Sequence, residues 1–371
     1  MANDIYQTQI MVRWSTRLHL DSPLLITLLL LIGAGMFVLY SAGGQDMALM
    51  LRQGMRLLTA LVVMFVMAQI HPHYLRLWTP WVFGVGLVLL VVVLMVGDVG
   101  KGAQRWLDLG IVRFQPAEIM KLAMPMMVAW YFAERPLPPR LGEVLIAVIL
   151  VLVPMGLIAK QPDLGTAMLV GSAGFFAIFL AGIGWRYILL ACAMGAGAAP
   201  VMWHFMHAYQ RQRVLTFLNP ESDPLGAGYH IIQSEIAIGS GGLYGKGWLN
   251  GTQSQLAFIP ERHTDFIFSV FGEEFGLMGE FVLLSLYLAI VFRGLYIAMH
   301  AQDTYTRILA GSLSLTFFVY FFVNTGMVTG LLPVVGVPLP LISYGGTSMV
   351  TLLAAFGMLM SIQTHRKLLS S

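Results

Sequence analysis

The sequence predicts an all-α polytopic membrane protein of ten transmembrane helices, with a large ordered extracytoplasmic loop between helices 7 and 8. Three observations carry that prediction. Hydrophobic residues make up 58% of the 371 and charged residues only 11%, at a mean hydropathy of +0.78, well outside the range of soluble domains. Apolar runs of roughly 17–25 residues, long enough to cross a hydrocarbon core at about 1.5 Å per residue, can be placed ten times. Between the seventh and eighth runs lie 59 residues, 207–265, rich in Gly, Pro, Asn and charge; loops of that length are functional or disordered more often than mere connectors.

The runs lie near 23–42, 54–70, 78–97, 117–133, 144–159, 165–182, 187–206, 266–292, 308–330 and 344–362, within one membrane unit spanning 1–371. The first, "SPLLITLLLLIGAGMFVLYSA", is longer than a signal-peptide core and reads as an uncleaved first span. An even number of crossings puts both termini on one side. With the N-terminus inside, the 21 basic residues divide ten inside and eleven outside, a balance that leaves the positive-inside rule without a preferred orientation. Eight of the outside eleven fall in 98–121 and 207–265, and long loops translocate largely regardless of charge. Without them the division is ten against three, so both termini are expected in the cytoplasm.

The stretch "GDVGKGAQRWLDLGIVRFQPAEIMK" predicts short strands or turns, then a helix with Pro116 in its first turn, where a missing N–H costs nothing. In the 207–265 loop, aromatic and aliphatic anchors alternate with polar groups. Order is therefore expected there, with "GYHIIQSEIAIGSG" a short interfacial helix ended by glycines. No internal repeat is visible, which weighs against an inverted-repeat transporter.

Other classes are disfavoured by composition. The single Cys192 allows no intrachain disulfide, and a net charge of +3 gives no support for a nucleic-acid partner. "GSGGLYGKG" lacks the first Gly and the Ser/Thr of a phosphate-binding loop. No HExxH, paired CxxC or GxSxG occurs, and the nine His lack metal-ligand spacing.

"PERHTDFIFSVFGEEFG", 260–276, places Glu261, Arg262, His263, Asp265, Glu273 and Glu274 beside a helix that must enter a membrane. Charge at that depth is retained for pairing, transport or chemistry. If Arg293 marks the inner edge, about 20 residues of straight helix reach Glu273, and Asp265 lies roughly 12 Å further out, at headgroup level. Asp265, Phe268, Ser269, Gly272, Glu273 and Gly276 would share one helical face. A capping role for the "HTD" segment is the structural alternative.

Glu118 and Lys121 stand i, i+3 at the start of the fourth run and could neutralise each other. Lys101, Arg105 and Arg113 just upstream add positive charge suited to phosphate. Asp163 in "KQPDLGT" reads either as a turn or N-cap residue or as part of that outer-face set. "LLPVVGVPLPLISYGGTS", 331–348, is either an ordinary outer loop or non-helical backbone buried in protein or lining a cavity.

At "RWLDLGIVRFQPAEIMK", "QPDLGT", "YQRQR", "NPESDPLGAGYHIIQS", "GSGGLYGKGW", "PERHTDFIF" and "GLLPVVGVPLPLISYGG" the chain closely resembles the SEDS family (shape, elongation, division and sporulation), and its elongation branch more than its division branch. The likeness runs from the first span to the C-terminus. It implies a peptidoglycan glycosyltransferase of the bacterial cytoplasmic (inner) membrane, with its active site facing the periplasm. Lipid II would be polymerised into glycan strands there, with release of undecaprenyl pyrophosphate, and a class B penicillin-binding protein would supply crosslinking. The family's essential aspartate maps onto Asp265, its fourth-span Glu and Lys onto Glu118 and Lys121, and a further Asp onto Asp163.

On that reading Asp265 is the general base that takes the acceptor hydroxyl proton, or else a ligand of Mg2+ or Mn2+. Lys121, Arg105, Arg213 and Lys101 are the groups expected to meet the pyrophosphate. A lipid II flippase or other transporter, and a non-catalytic scaffold for the penicillin-binding protein, are the competing classes.

Overall fold

The computed structural model describes residues 18–366, except 101–102, 109–112, 207, 220–226, 257 and 260. A helix coincides with each apolar run. In chain order these are α1 (Ser22–Ala42), α2 (Met47–Gln69), α3 (Pro72–Val96), α4 (Pro116–Phe132), α5 (Leu141–Lys160), α6 (Leu164–Leu180) and α7 (Trp185–Phe205). The 207–265 segment contains α8 (Ala208–Leu218), α9 (Ala227–Gly241) and the single turn α10 (Thr252–Gln255). After it come α11 (Ile267–Met299), α12 (Thr304–Val328) and α13 (Thr347–Thr364). Seven of them, α1, α2, α3, α5, α11, α12 and α13, are long and apolar enough to cross a membrane. The chain is an all-α polytopic membrane protein.

Local chemistry sets the boundaries. Asp21 caps α1 by accepting the Leu24 N–H at 3.0 Å, and Pro116 opens α4 as its spacing requires. Between α3 and α4 the chain folds into a small antiparallel sheet of β1 (Asp98–Gly100), β2 (Ala103–Asp108) and β3 (Arg113–Phe114), in that order. Helix α4 is the innermost, packed on α3, α6 and α12 and buried along most of its length. Shielded from lipid, it tolerates Glu118 and Lys121, which lower its hydropathy.

Two features position the candidate site. The first is the chain between α12 and α13. Val337, Leu339, Leu341 and Ile342 are all buried, so this segment is non-helical backbone held inside the protein and not an ordinary outer loop. Its polar backbone is answered from within: Leu339 N–H donates to Ser343 Oγ at 2.8 Å, and Gln53 of α2 reaches Ser343 O and Gly345 N at 3.4 Å each.

The second is a break in α11. Gly276 has φ 63° and ψ −168°, so the helix is interrupted there. The segment after α9 fills the gap by reciprocal exchange. Lys246 and Gly247 N–H groups donate to the carbonyls of Glu273 and Glu274, while Leu277 and Met278 N–H groups donate to Gly242 and Leu243, all at 3.0–3.1 Å. This corrects the sequence reading in two respects. The helix starts beyond Asp265, with Phe266 as N-cap, and it is not straight, so Asp265 and Gly276 do not share one continuous face. Helix α9 is likewise more than interfacial. Its Ile231, Ser234 and Ala237 are buried against neighbouring helices, and Ser234 Oγ donates to Val328 O at 2.6 Å.

Candidate active site

Asp265 stands half-buried at the mouth of α11. Three flanking backbone groups are fixed by neighbours. Asn324, fully buried in α12, donates from Nδ2 to both Asp265 O (2.8 Å) and Val337 O (2.7 Å). Ser343 Oγ donates to Thr264 O at 2.6 Å, and Tyr344 N–H to His263 O at 2.8 Å. The buried loop between α12 and α13 therefore holds 263–265 like a splint. The Asp265 carboxylate itself faces that loop: a β-carbon placed on Gly336 would lie 3.5 Å from its Oδ2.

The same loop touches the other acidic candidate. A β-carbon on Gly165, two residues past Asp163, would come within 2.8 Å of Val335 O. Asp163 caps α6 through Thr166 N (3.2 Å), as the turn reading expected, and also accepts Gln115 Nε2 at 3.0 Å. Arg105 of β2 pairs with it at 3.5 Å and donates to Pro162 O at 3.0 Å. The start of α6, which Asp163 caps, and Asp265 thus both meet one segment, 335–337. Arg105 spends part of its charge on Asp163, while its side chain keeps 34% of its surface exposed toward the outer rim.

Glu118 and Lys121 do pair, at 2.7 Å, and both are almost wholly buried. Lys121 Nζ also sits 5.3 Å above the Tyr320 ring. Tyr320 and Asn324 are one turn apart on α12, so the ion pair and the Asp265 clamp lie on one helix face. Arg213 is on α8, with its side chain outside the described residues, and Lys101 lies outside them altogether.

The remaining acids of 260–276 are structural. Glu273, with no exposed surface, accepts Lys246 Nζ (2.8 Å), Thr252 Oγ1 (3.0 Å) and Gln253 N (3.0 Å). Glu274 takes a hydrogen bond from Ser41 of α1. Together they anchor the 241–256 segment and α1 to the broken helix.

Sequence reasoning missed Asn324, Ser343, Gln53 and Arg56. Arg56, on α2, stacks 4.6 Å over Tyr344, whose ring meets His263 edge-on at 5.9 Å. For Asn324 and Arg56 the signal was a polar or charged side chain inside an apolar run; Gln53 and Ser343 stand just before one. His230 of α9 stacks on Phe266 at 5.6 Å, next to Asp265. Burial holds its imidazole below the ordinary range, with Glu261 opposing.

Among the described residues no group of three or more His, Cys, Asp or Glu is arranged to hold a metal ion. A lone carboxylate makes no protein cage; magnesium held this way takes most of its ligands from water and substrate phosphates.

Comparison with known proteins bears on the family and the fold. A family model described as the cell cycle protein family FtsW/RodA/SpoVE matches residues 15–368. Among curated proteins, the peptidoglycan glycosyltransferase MrdB of Escherichia coli strain K12 is 56% identical over 355 residues, covering 95% of this chain and 96% of that protein. Among solved structures, one described as showing structural coordination of polymerization and crosslinking by a peptidoglycan synthase complex superposes with a TM-score of 0.81 at 32% identity, over 92% of this chain and 97% of that one. The rod shape determining protein RodA of Thermus thermophilus gives 0.71 at 29% identity, over 94% and 98%. The chain therefore belongs to the FtsW/RodA/SpoVE family, the SEDS proteins.

Proposed function

We propose that this chain is a peptidoglycan glycosyltransferase that polymerises lipid II into glycan strands at the outer face of the bacterial inner membrane. The observation that carries this reading is the 56% identity to a peptidoglycan glycosyltransferase across 95% of the chain. We read ten spans, with α4, α6 and α7 crossing beside the seven long apolar helices; an even number puts both ends of the bundle on one side, which the distribution of basic residues makes the cytoplasmic one. In keeping with that, His19 before α1 and His365 after α13 stack at 3.9 Å. The 207–265 segment then lies in the periplasm, with Asp265 at its inner end.

In this reading the 4-hydroxyl of an acceptor lipid II attacks the anomeric carbon of a donor. The new C–O bond forms as the bond to pyrophosphate breaks, the anomeric centre inverts, and undecaprenyl pyrophosphate leaves with the electron pair. Asp265 accepts the hydroxyl proton. Its backbone is clamped by Asn324, Ser343 and Tyr344 while its side chain stays half-open, which suits a group that must meet substrate without drifting. Arg105 meets the developing pyrophosphate charge, and the sequence reading adds Arg213 and Lys101 to it. The Glu118–Lys121 pair and Asp163 are almost wholly buried, so their part in the site is support and not direct contact with substrate, and any Mg2+ or Mn2+ would arrive on the substrate's phosphates. The partner is a class B penicillin-binding protein, in line with the polymerization and crosslinking of the matching complex.

The test is purified protein with labelled lipid II. Asp265→Asn, nearly isosteric, should keep the thermal transition of the wild type and form no glycan; normal polymerisation by that variant would remove Asp265 from the chemistry.

A further inference from the structure

At the opposite end of the bundle from Asp265, the start of α3, the α11–α12 connection and the end of α13 enclose a cavity of about 310 Å³. That is the lower end of ligand-pocket sizes, roughly 300–1,000 Å³. Its wall carries two arginines and three histidines against one carboxylate, Asp303. His73 and Arg76 come from α3, and His365 and Arg366 from the end of α13. The acids nearby are already committed. Asp303 caps α12 through Thr306 N at 2.9 Å, and Glu134 pairs with Arg76 at 2.5 Å. The Nε and Nη2 atoms of Arg366 are both buried and have no hydrogen-bond acceptor. A guanidinium that gives up water on two nitrogens without a partner is expensive to keep unless something else accepts from it.

We propose that this cavity binds a phosphate-bearing anion, the headgroup of an anionic phospholipid in the adjoining leaflet. Arginine offers two parallel N–H groups to two phosphate oxygens, the geometry that suits phosphodiesters. Depth favours a lipid over a soluble phosphate. Tyr74 and Trp78, in the first two turns of α3, are 52% and 49% exposed, and such aromatic side chains settle at headgroup level. The cavity opens among those same turns. Basic pockets between helices on this side of a membrane are suited to acidic headgroups.

The imidazoles make the site sensitive to acidity. His71 Nδ1 accepts the His73 N–H at 3.2 Å, so the hydrogen of its neutral ring sits on Nε2. His365 Nδ1 faces Ser361 O at 3.1 Å, so proton uptake falls on its Nε2. The His365 ring lies flat against His19 and edge-on to His71 at 5.0 Å. Burial holds His365 below the ordinary imidazole range, and His19 adds to this while the Ser361 carbonyl opposes it. Arg76, Arg366 and Asp303 are the other charged groups that line the same cavity. An anion seated among these groups raises the proton affinity of His365, so binding and protonation promote each other.

The experiment is native mass spectrometry of the full chain titrated with phosphatidylglycerol or phosphatidylcholine, with thermal shift in parallel. The wild type should retain phosphatidylglycerol preferentially, and more tightly at about pH 6 than about pH 8. Arg366→Gln should weaken retention by about five-fold, the factor for one headgroup-facing cation, and His73→Ala should weaken it in the same direction, both at an unchanged thermal transition. His73, exposed and far from the core, supplies a second variant should Arg366→Gln fold poorly. Equal retention of the two lipids, or variants that bind like the wild type at both pH values, would overturn the proposal. So would stabilisation by inorganic phosphate alone equal to that by phosphatidylglycerol, which would make the ligand a soluble anion.

Discussion

Replacing Asn324 by Leu tests whether activity depends on the splint around Asp265. The side chain is fully buried and its Nδ2 group serves two carbonyls, those of Asp265 and Val337. Leu has a similar volume, so no large cavity opens, but two hydrogen bonds of about 0.5–1.5 kcal/mol each are lost. The two acceptors keep a second lone pair for other partners, so the total stays at about 1–3 kcal/mol rather than the full desolvation cost of two orphaned groups. At about 1.4 kcal/mol per factor of ten, the fraction of molecules holding 263–265 in place falls by roughly one to two orders of magnitude. Lipid II polymerisation should fall by a similar factor while the protein stays monodisperse. Asn324→Asp should be at least as damaging near neutral pH, because an ionised carboxylate presents only acceptors to two carbonyl oxygens. It should recover in part on acidification, when one O–H donor returns. A Leu variant that folds and polymerises within two-fold of the wild type would refute the positioning role.

Glu118→Gln alone should destabilise the protein by about 3–5 kcal/mol, because it strands a buried ammonium, whereas Glu118→Gln with Lys121→Met should regain most of that loss; thermal melts of the single and double variants decide it. Gly276→Ala puts a β-carbon 2.9 Å from Gly242 O at φ 63°. Strain of about 1–3 kcal/mol should be joined by loosening of the 241–256 segment, read as faster amide exchange at 246–247 and 277–278. His230 is held below its usual pKa, so the unfolded chain binds more protons below about pH 6.5. Stability should therefore fall as pH drops through that value toward the folded pKa, and His230→Gln should flatten that limb of a stability–pH curve.

The ten helical segments were legible because apolar runs have one reading in lipid, and the small sheet and α9 because turn residues and glycines bracket them. Asp163 as a cap and Glu118–Lys121 as a pair are local relations, three residues apart, so spacing revealed them. The break at Gly276 was not legible, since a single glycine in a helical pattern is usually tolerated, and its cause lies well upstream, in 242–247. Nor was Arg105's attachment to Asp163, which joins residues distant in the chain and is made only by the fold. Asn324 and Gln53 looked like ordinary polar residues within or just before spans. Their function is to satisfy backbone, and the need for it appears only once non-helical chain is found buried between α12 and α13.

The reciprocal exchange at the α11 break has a mechanical consequence. The outer piece, 267–275, hangs from the 241–256 segment by main-chain bonds, while the inner piece resumes at Leu277 with its own first N–H groups committed to 242–243. Displacement of the 241–256 segment would therefore load both pieces at once, and the inner piece, pinned near Asp21 by Arg293 at 2.6 Å, resists it. The break is thus a joint closed from outside the helix, and residue 265 lies at the end of its outer piece.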